Sequence, residues 1–296
     1  MKIFTKVSEM REYVQKLKKT ARKNPNIIGF VPTMGALHQG HISLVEAASK
    51  ECNRVIVSIF VNPAQFGPGE DFEKYPRDLK KDIKMLKETK RVAAVFTPDA
   101  SEIYPEGHSS YLQVESGLTK VLCGASRPGH FKGVTTVVAK LLNVVSPHRF
   151  YLGQKDLQQA VVLKKMAADM LYETQVVICP VVREKDGLAL SSRNAYLNPS
   201  EREIAPVLYK SLQMAESMIE LGEKDSQAVI KEIKRKIKEA GLEIDYVEAV
   251  DADTLMKTER LSGRIAIAAA VLAGKTRLID NIVVEIPNIQ TQPEVK

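Results

Sequence analysis

Short apolar runs alternate with helical patterns through the first part of the chain. The runs predict strands at residues 27–31, 55–61, 92–96, 150–152 and 176–182, and helical periodicity falls between them at 79–86, 134–145 and 157–171. Strands that are apolar throughout and alternate with helices are typical of a parallel sheet covered on both faces. We therefore expect an α/β fold with a Rossmann-like, doubly wound parallel sheet, whose ligands bind at the carboxyl ends of the strands.

The pattern changes after residue 182. A polar, loop-like stretch is followed by helical patterns at 200–221 and 226–240 and by strand-like runs at 244–250, 265–272 and 278–286. We expect Ser200 to cap the first of these helices, with Glu203 completing a capping box. Two helices and three strands predict a second, smaller α+β C-terminal domain. The predicted organisation is residues 1–182 for the first domain, 183–286 for the second and 287–296 for a frayed tail.

Composition narrows the functional classes. The chain has 296 residues, of which 44% are hydrophobic and 27% charged, as in a folded protein of about two domains. Its three cysteines are far apart and odd in number, which indicates a reducing, cytoplasmic compartment and no disulfide framework. No apolar run reaches the ~18 residues of a membrane span. The net charge of +7 comes from lysines that alternate with glutamates on helical faces, so neither membrane nor nucleic acid is an expected partner.

The sequence V-P-T-M-G-A-L-H-Q-G-H carries the strongest chemical signal. An apolar run ends at Pro32 and Gly35 and a periodic segment follows, which predicts a strand, a turn and a helix. His38 and His41 lie three residues apart on one face of the helix start, where unpaired N–H groups favour anions. Gly40 leaves room for a phosphate between them. A nucleotide triphosphate site is the favoured interpretation; core histidines or a metal pair are the alternatives, although zinc pairs are more often four residues apart.

Two further segments carry candidate polar groups. Residues 58–77 form a long loop rich in Pro and Gly, a type that is often functional. In this loop, Asn62 and Gln65 offer neutral amides suited to a hydroxyl or a carboxylate, unless the segment is only a surface turn. In R-P-G-H-F, Arg127 could clamp an anion with two hydrogen bonds or could brace the loop.

Two segments with phosphate chemistry complete the set. G-Q-K-D-L-Q-Q follows a strand and opens a helix, so that Lys155 could direct a cation at phosphates and Asp156 could accept from a ribose, unless this is a solvated helix start. Gln159 lies one turn from Lys155 on the same face. At the predicted domain junction, Ser191, Ser192 and Arg193 form a cluster of donors for phosphate oxygens, placed where closure over a ligand is easy.

In combination, these motifs resemble those of the pantoate–β-alanine ligase family, a relative of the class I aminoacyl-tRNA synthetases. The resemblance extends over residues 30–286 and rests on P-T-M-G-A-L-H-Q-G-H, F-V-N-P-A-Q-F, Y-P-R-D, G-Q-K-D-L-Q-Q and D-G-L-A-L-S-S-R-N. Two positions depart from the family pattern: Gln154 stands where the family usually has Glu, and Leu190 where it often has Met. Neither position is an expected phosphate donor.

The resemblance implies an ATP-dependent condensation of pantoate with β-alanine through a pantoyl adenylate, with release of AMP and pyrophosphate. It implies Mg²⁺ held by the ATP phosphates, no metal ligand assigned among the side chains, and a cytoplasmic homodimer formed through the N-terminal domain. The implied catalytic residues are His38, His41, Lys155, Ser191, Ser192 and Arg193. The implied ATP site adds Met34, Gly153, Asp156, Val182 and Leu190, and the implied pantoate site consists of Gln65, Gln159, Met34 and Asn62. Tyr75, Arg127 and His130 are further candidates, and the second domain is expected to act as a lid that carries the Ser-Ser-Arg loop.

Two rival functions follow from the same residues. A nucleotidyltransferase of the same superfamily could stop after nucleotide transfer, and AMP release that depends on an amine would separate it from a ligase. An RNA-binding module that uses a synthetase fold is favoured slightly by the basic charge and disfavoured by the two intact phosphate motifs.

Overall fold

The computed structural model describes residues 1–19 and 25–287, which form two compact units. The first unit comprises Met1–Arg183 and Leu190–Ser192, and the second comprises Glu184–Ala189 and Arg193–Lys296. Of the tail predicted at residues 287–296, residues 288–296 lie outside the described residues.

The first unit contains a six-stranded parallel sheet in the order β1-β4-β3-β2-β5-β6. Its strands are β1 Lys2–Phe4, β2 Ile28–Thr33, β3 Arg54–Ile59, β4 Val92–Phe96, β5 Arg149–Gly153 and β6 Gln175–Cys179. Its helices are α1 Val7–Lys19, α2 Gln39–Glu51, α3 Leu79–Glu88, α4 Ala100–Ile103, α5 Cys123–Ser126, α6 His130–Val145 and α7 Leu157–Asp169. The predicted parallel α/β fold is therefore confirmed. The additional strand β1 is short and exposed at the sheet edge, so its sequence carries no long apolar run.

Both faces of the sheet are buried, as continuous apolar strands require. Val31 and Val57 pack on one face with Leu86 of α3. Phe30 and Phe150, which alternate with the residues of that face, stack on each other with ring centroids 6.0 Å apart. The central strands β2, β3 and β4 therefore have no solvent-facing side along which polar residues would alternate.

Strand β2 occupies the centre of this sheet, between β3 and β5. The chain leaves β2 toward β3 and returns to the other side of β2 with β5, so the strand order reverses at this point. Such a reversal opens a crevice at the carboxyl ends of the two strands, where ligands of open α/β sheets bind. Pro32 lies within β2 and does not end it, because pairing with β5 stops at Phe30 and no hydrogen bond to β5 is required from Pro32.

The second unit is α+β, as expected. Helices α8 Pro199–Ile204, α9 Val207–Glu220 and α10 Ser226–Glu239 precede an antiparallel sheet of β7 Glu243–Asp251, β8 Gly263–Ala273 and β9 Thr276–Ile286. Leu212 of α9 and Ile233 of α10 share one buried core with Ile267 of β8. The helices therefore cover a face of the sheet.

The start of this unit's helical part differs from the prediction. Asn198, and not Ser200, is the cap: its Oδ1 accepts the Glu201 N–H at 2.9 Å, and Glu201 Oε2 accepts the Asn198 N–H at 3.0 Å. Pro199 is favoured at the first helical position because it lacks the N–H that would be unpaired there, and this fixes the cap two residues earlier. The predicted single helix over 200–221 is interrupted at Pro206, which cannot donate the next helical hydrogen bond.

The grouping of the Ser-Ser-Arg loop also differs from the predicted boundary at residue 183. Ser191 and Ser192 belong to the first unit, whereas Arg193 belongs to the second. The reason is local, since the Leu190 N–H donates to the Val182 carbonyl at 3.0 Å and holds this part of the loop beside the end of the first unit.

Candidate active site

The turn between β2 and α2 has an unusual backbone. Gly35 and Ala36 both have positive φ, at 83° and 49°. Asp82 of α3 holds this turn: its Oδ2 accepts the Ala36 N–H at 3.0 Å, and its Oδ1 accepts the Leu37 N–H at 2.8 Å. The sequence interpretation did not single out Asp82. A signal was present, because Asp82 falls on the apolar stripe formed by Leu79 and Leu86 and is buried there.

The two histidines form the capping box of α2. The His38 Nδ1 accepts the Gly40 N–H at 3.1 Å, and the His38 N–H donates to the His41 Nδ1 at 3.3 Å. Their ring centroids are 4.1 Å apart. A Cβ at Gly40 would lie 2.9 Å from two atoms of the His38 ring, so glycine is required for the cap itself as well as for an approaching ligand.

These hydrogen bonds determine where the imidazole protons are. Each Nδ1 accepts a backbone N–H, so a neutral ring carries its hydrogen on Nε2. Burial lowers the pKa of His38 to about 4, with Lys155 adding to the shift. Burial lowers the pKa of His41 to about 3, with contributions from His38 and Lys155. At neutral pH the pair therefore offers two uncharged Nε2–H donors.

Lys155 reaches the same place from the neighbouring strand. It follows β5 in a short 3-10 helix, Gln154–Asp156, directly before α7. Its charge acts on the pKa of both histidines, as does the charge of Asp156 on that of His38, so the four groups share one electrostatic environment. The carboxyl ends of β2 and β5 thus bring together the two segments that the sequence placed after separate strands. Gln159 lies in the first turn of α7, half-buried.

Gln65 presents an oriented amide in the loop after β3. Its Oε1 accepts from Asn62 Nδ2 at 3.1 Å, and its Nε2 donates to the Met34 sulfur at 2.8 Å. Asn62 is itself held, because its Nδ2 also donates to the Gly133 carbonyl and its Oδ1 accepts the Tyr104 hydroxyl at 2.8 Å. Thioether sulfur is a weak acceptor, so a substrate oxygen would compete well for the Gln65 Nε2 donors.

Arg127 is engaged within the protein. Its Nε and Nη2 donate to both carboxylate oxygens of Glu70, at 2.7 and 2.6 Å, and its Nη1 donates to His130 Nε2 at 3.2 Å. His130 Nδ1 then carries the proton and donates to the Gln65 carbonyl at 2.8 Å. Burial and the neighbouring Arg127 lower the pKa of His130 to about 4. Of the two roles open for Arg127, bracing a loop is the one in this structure, and Arg127 and His130 hold the backbone of Gln65.

The second candidate phosphate segment approaches the first within the same unit. Leu190 lies beside Gly40: a Cβ at Gly40 would be 3.8 Å from the Leu190 Cβ. Ser192 lies 3.2 Å, hydroxyl to hydroxyl, from Tyr75, whose ring is buried against Phe66. Both serines thus belong to the same unit as the histidine segment, while Arg193 is part of the second unit.

Comparison with known proteins identifies the family of the chain. The sequence model of the family described as pantoate-beta-alanine ligase matches residues 2–283. The chain belongs to the pantoate–β-alanine ligase family. The pantothenate synthetases of Acetivibrio thermocellus and Thermosipho africanus are each 50% identical to it, over 97% and 96% of this chain and all of theirs.

Solved structures of the same family match the fold. The pantothenate synthetase of Thermus thermophilus superposes with a TM-score of 0.88 at 41% identity, over 95% of this chain and 99% of that one. The pantoate-beta-alanine ligase of Francisella tularensis, solved as a complex with beta-gamma ATP and beta-alanine, has a TM-score of 0.79 at 37% identity, over 96% and 97% of the two chains. As a member of the pantoate–β-alanine ligase family, the protein is an enzyme.

Two further features of this ligase concern membranes and metals. No helix among residues 1–19 and 25–287 is long and apolar enough to cross a membrane. In the same ranges, no group of three or more histidine, cysteine or acidic side chains is arranged to hold a metal ion. The donor set at the site consists of imidazole N–H, ammonium and hydroxyl groups, which suit the oxygens of a phosphate.

Proposed function

We propose that this ligase condenses pantoate with β-alanine in two steps and uses ATP to activate the pantoate carboxylate. In the first step, a carboxylate oxygen attacks the α-phosphorus, the bond to the bridging oxygen of the β-phosphate breaks, and pyrophosphate leaves. In the second step, the unprotonated amine of β-alanine attacks the acyl carbon, the acyl–oxygen bond to AMP breaks, and the amine loses a proton. The products are pantothenate, AMP and pyrophosphate.

The observation that carries the proposal is the histidine capping box at the switch point of the sheet. Attack of a carboxylate on a phosphate requires alignment and charge neutralisation more than a protein nucleophile. His38 and His41 supply fixed, neutral Nε2–H donors, and Lys155 supplies a cation beside them. Donors held in place before the reaction stabilise developing charge without further reorganisation. The proposed second set of phosphate donors consists of Ser191, Ser192 and Arg193.

Gln65 is the proposed contact for pantoate, together with Gln159 and Met34. Asn62 donates a hydrogen bond to the Oε1 of Gln65, and this orients the Nε2 donors of Gln65 toward an acceptor. A neutral amide would orient pantoate while its carboxylate stays nucleophilic, whereas a guanidinium would stabilise that carboxylate in the ground state. Asn62 is thus proposed to act on pantoate through Gln65. The proposed surroundings of the nucleotide remain Gly153, Asp156, Val182 and Leu190.

Mg²⁺ is proposed to enter with ATP. When bound, it would neutralise phosphate charge and assist pyrophosphate departure. The side chains at the site are mostly hydrogen-bond donors, which match phosphate oxygens better than a hard cation, so the ion would be held by the phosphates.

A cytoplasmic homodimer is also proposed. The three cysteines, all within the described ranges, are buried thiols, as is usual in a reducing compartment. Sedimentation at micromolar concentration tests the dimer, because a single chain would give 32.9 kDa. The prediction that the second domain acts as a lid stays a prediction.

Exchange of radiolabelled pyrophosphate into ATP tests the proposed intermediate. The adenylate forms before the amine enters, so exchange should require pantoate and Mg²⁺ and should proceed without β-alanine. Equal exchange in the absence of any carboxylic acid would overturn the proposal. AMP release that depends on β-alanine then distinguishes a ligase from an enzyme that stops after nucleotide transfer.

A further inference from the structure

Asp82 is a buried carboxylate that contacts the histidine segment from a different helix. Only 2% of its surface is exposed, and it belongs to α3, which places it 45 residues further along the chain than the amide it binds at Leu37. Both of its oxygens are used on consecutive backbone N–H groups, those of Ala36 and Leu37. Hydrogen bonds from N–H groups to a carboxylate are roughly twice as strong as neutral ones, so this bidentate contact is a firm anchor.

The anchored turn is one that the backbone does not adopt without support. Ala36 has φ of 49°, in the left-handed region that is unfavourable for a residue with a Cβ. Gly35 before it also has positive φ, and a Cβ there would be only 3.0 Å from Asp82 Oδ2. The carboxylate therefore lies directly against the turn, and the surrounding structure holds the strained residue in place.

The conformation of this turn determines the position of the two histidines. Leu37 immediately precedes His38, whose N–H and Nδ1 are two groups of the capping box. The direction of the His38 N–H depends on the peptide plane that joins it to Leu37, because that plane is shared. If the Leu37 backbone moves, the bond from His38 to the His41 Nδ1 moves with it.

We propose that Asp82 is a positioning residue for adenylate formation: by binding the Ala36 and Leu37 amides, it fixes the turn that holds His38 and His41 as paired Nε2–H donors. The inference rests on the proposed function, in which these donors act on the phosphates. Asp82 itself does not touch the substrate. Its effect is on where two donors are, and displacement of reacting groups by about 1 Å can cost on the order of 10² in rate.

Asp82→Asn is the informative variant, because it keeps the shape and presents an NH₂ group to one of the two N–H donors. The matched control is Asp78→Ala, which removes the cap of the same helix, where Asp78 accepts the Lys81 N–H at 3.0 Å, and leaves the turn contacts intact. We expect kcat for pantoate-dependent ATP–pyrophosphate exchange to fall roughly 10- to 100-fold in Asp82→Asn, with KM for ATP changed less than about threefold. Asp78→Ala should stay within about twofold of the wild type.

Imidazole ¹⁵N NMR provides a readout that does not depend on activity. In the wild type, His38 and His41 should show unprotonated Nδ1 and protonated Nε2; in Asp82→Asn the two tautomers should mix, and amide exchange at Ala36 and Leu37 should accelerate. If the wild type lacks exchange activity, the proposed function fails, while these spectra still report on Asp82. Unchanged histidine signals in Asp82→Asn would overturn the positioning role, as would an equal loss of kcat in Asp78→Ala.

A second-site variant covers the case in which Asp82→Asn folds poorly. Glycine adopts positive φ without the cost that alanine bears, so Ala36→Gly relieves the turn of its need for support. We expect the Asp82→Asn/Ala36→Gly double variant to regain at least a few-fold of the lost kcat together with the wild-type tautomer signals. Absence of any rescue in a folded double variant would contradict the proposed route through the turn.

Discussion

The Tyr75 hydroxyl lies 3.2 Å from the Ser192 hydroxyl, and the Tyr75 ring packs on Phe66. The contact joins the loop after β3 to the segment after Val182 and orients one of the proposed phosphate donors. Tyr75→Phe removes this hydrogen bond and keeps the ring.

We therefore expect Tyr75→Phe to lower kcat for adenylation by roughly fivefold and to lower the free energy of unfolding by at most about 1 kcal/mol, the usual contribution of one hydrogen bond. Tyr172→Phe is the control, because the Tyr172 hydroxyl donates to the Ala139 carbonyl on α6 and takes no part in the proposed site. The effects of Tyr75→Phe and Ser192→Ala should be non-additive; strictly additive losses would show that Tyr75 does not act through Ser192.

The histidine pair can be tested with variants that keep the helix cap. Asn is a good N-cap residue and Gln serves at the third position of a capping box, so His38→Asn and His41→Gln should preserve the start of α2. Each variant replaces the imidazole Nε2–H by an amide N–H₂ at a different position and should lose on the order of 10² to 10³ in the rate of adenylation. Thermal unfolding should change little in both variants. Near-normal kcat in the two variants would mean that the histidines serve only as caps.

Lys155 should act on the transition state more than on ATP binding. It provides a cation beside the histidines where charge redistributes as pyrophosphate departs. We expect Lys155→Ala to lower kcat for adenylation far more than it raises KM for ATP, and Lys155→Arg to rescue poorly because its planar fork differs from a compact ammonium. Gln154→Glu, which restores the usual family residue, should be nearly neutral. Single-turnover adenylation measured across an ATP titration tests this prediction. A Lys155→Ala variant with a raised KM for ATP and an unchanged kcat would refute the assignment of Lys155 to the transition state.

The three lowered histidine pKa values predict a pH dependence of stability. The folded-state pKa is about 4 for His38, about 3 for His41 and about 4 for His130, against an ordinary value of 6.5. Between pH 6.5 and about 4, the unfolded chain binds more protons than the folded chain, so stability should fall as the pH is lowered through this window and should be unaffected by these groups above it. Urea midpoints at about pH 7.5 and about pH 5 measure the effect. Proton NMR titration of the imidazoles is the check, since titration near 6.5 by all three would contradict the prediction.

Close packing of α6 on the loop after β3 predicts a strong effect at Gly133. A Cβ there would lie 2.0 Å from the Ala64 carbonyl oxygen and 2.7 Å from the Gln65 Cα, both rigid backbone atoms. Gly133→Ala should therefore destabilise the protein by several kcal/mol or displace Gln65, with a raised KM for pantoate. Gly153→Ala is the control: nothing lies within 4 Å of its Cβ position and its φ is −85°, so its unfolding free energy should be close to that of the wild type. Equal unfolding free energies of the two variants would show that the loop after β3 can move away from α6 at little cost.

The sequence determined the elements and the chemistry that each one carries. Periodicity located the central strands and the main helices to within a few residues, because burial on both faces of a sheet leaves an unbroken apolar run. The strand-turn-helix signal likewise placed His38 and His41 at a helix start. These features depend on neighbours within one or two turns of chain, which a linear pattern contains. Where two nearby residues could both cap a helix, as Asn198 and Ser200 could, the sequence pattern did not identify the correct one.

Only the tertiary structure decided which polar groups engage each other. The sequence leaves two roles open for Arg127, and only the fold brings Glu70, 57 residues away, to its guanidinium. Asp82 likewise binds amides that lie 45 and 46 residues away in the chain. Likewise, the order of the strands, with β2 between β3 and β5, is what brings Lys155 to the histidines. Such pairings arise when the sheet aligns the carboxyl ends of strands distant in the chain, and their hydrogen bonds depend on distances and angles that residue spacing does not contain.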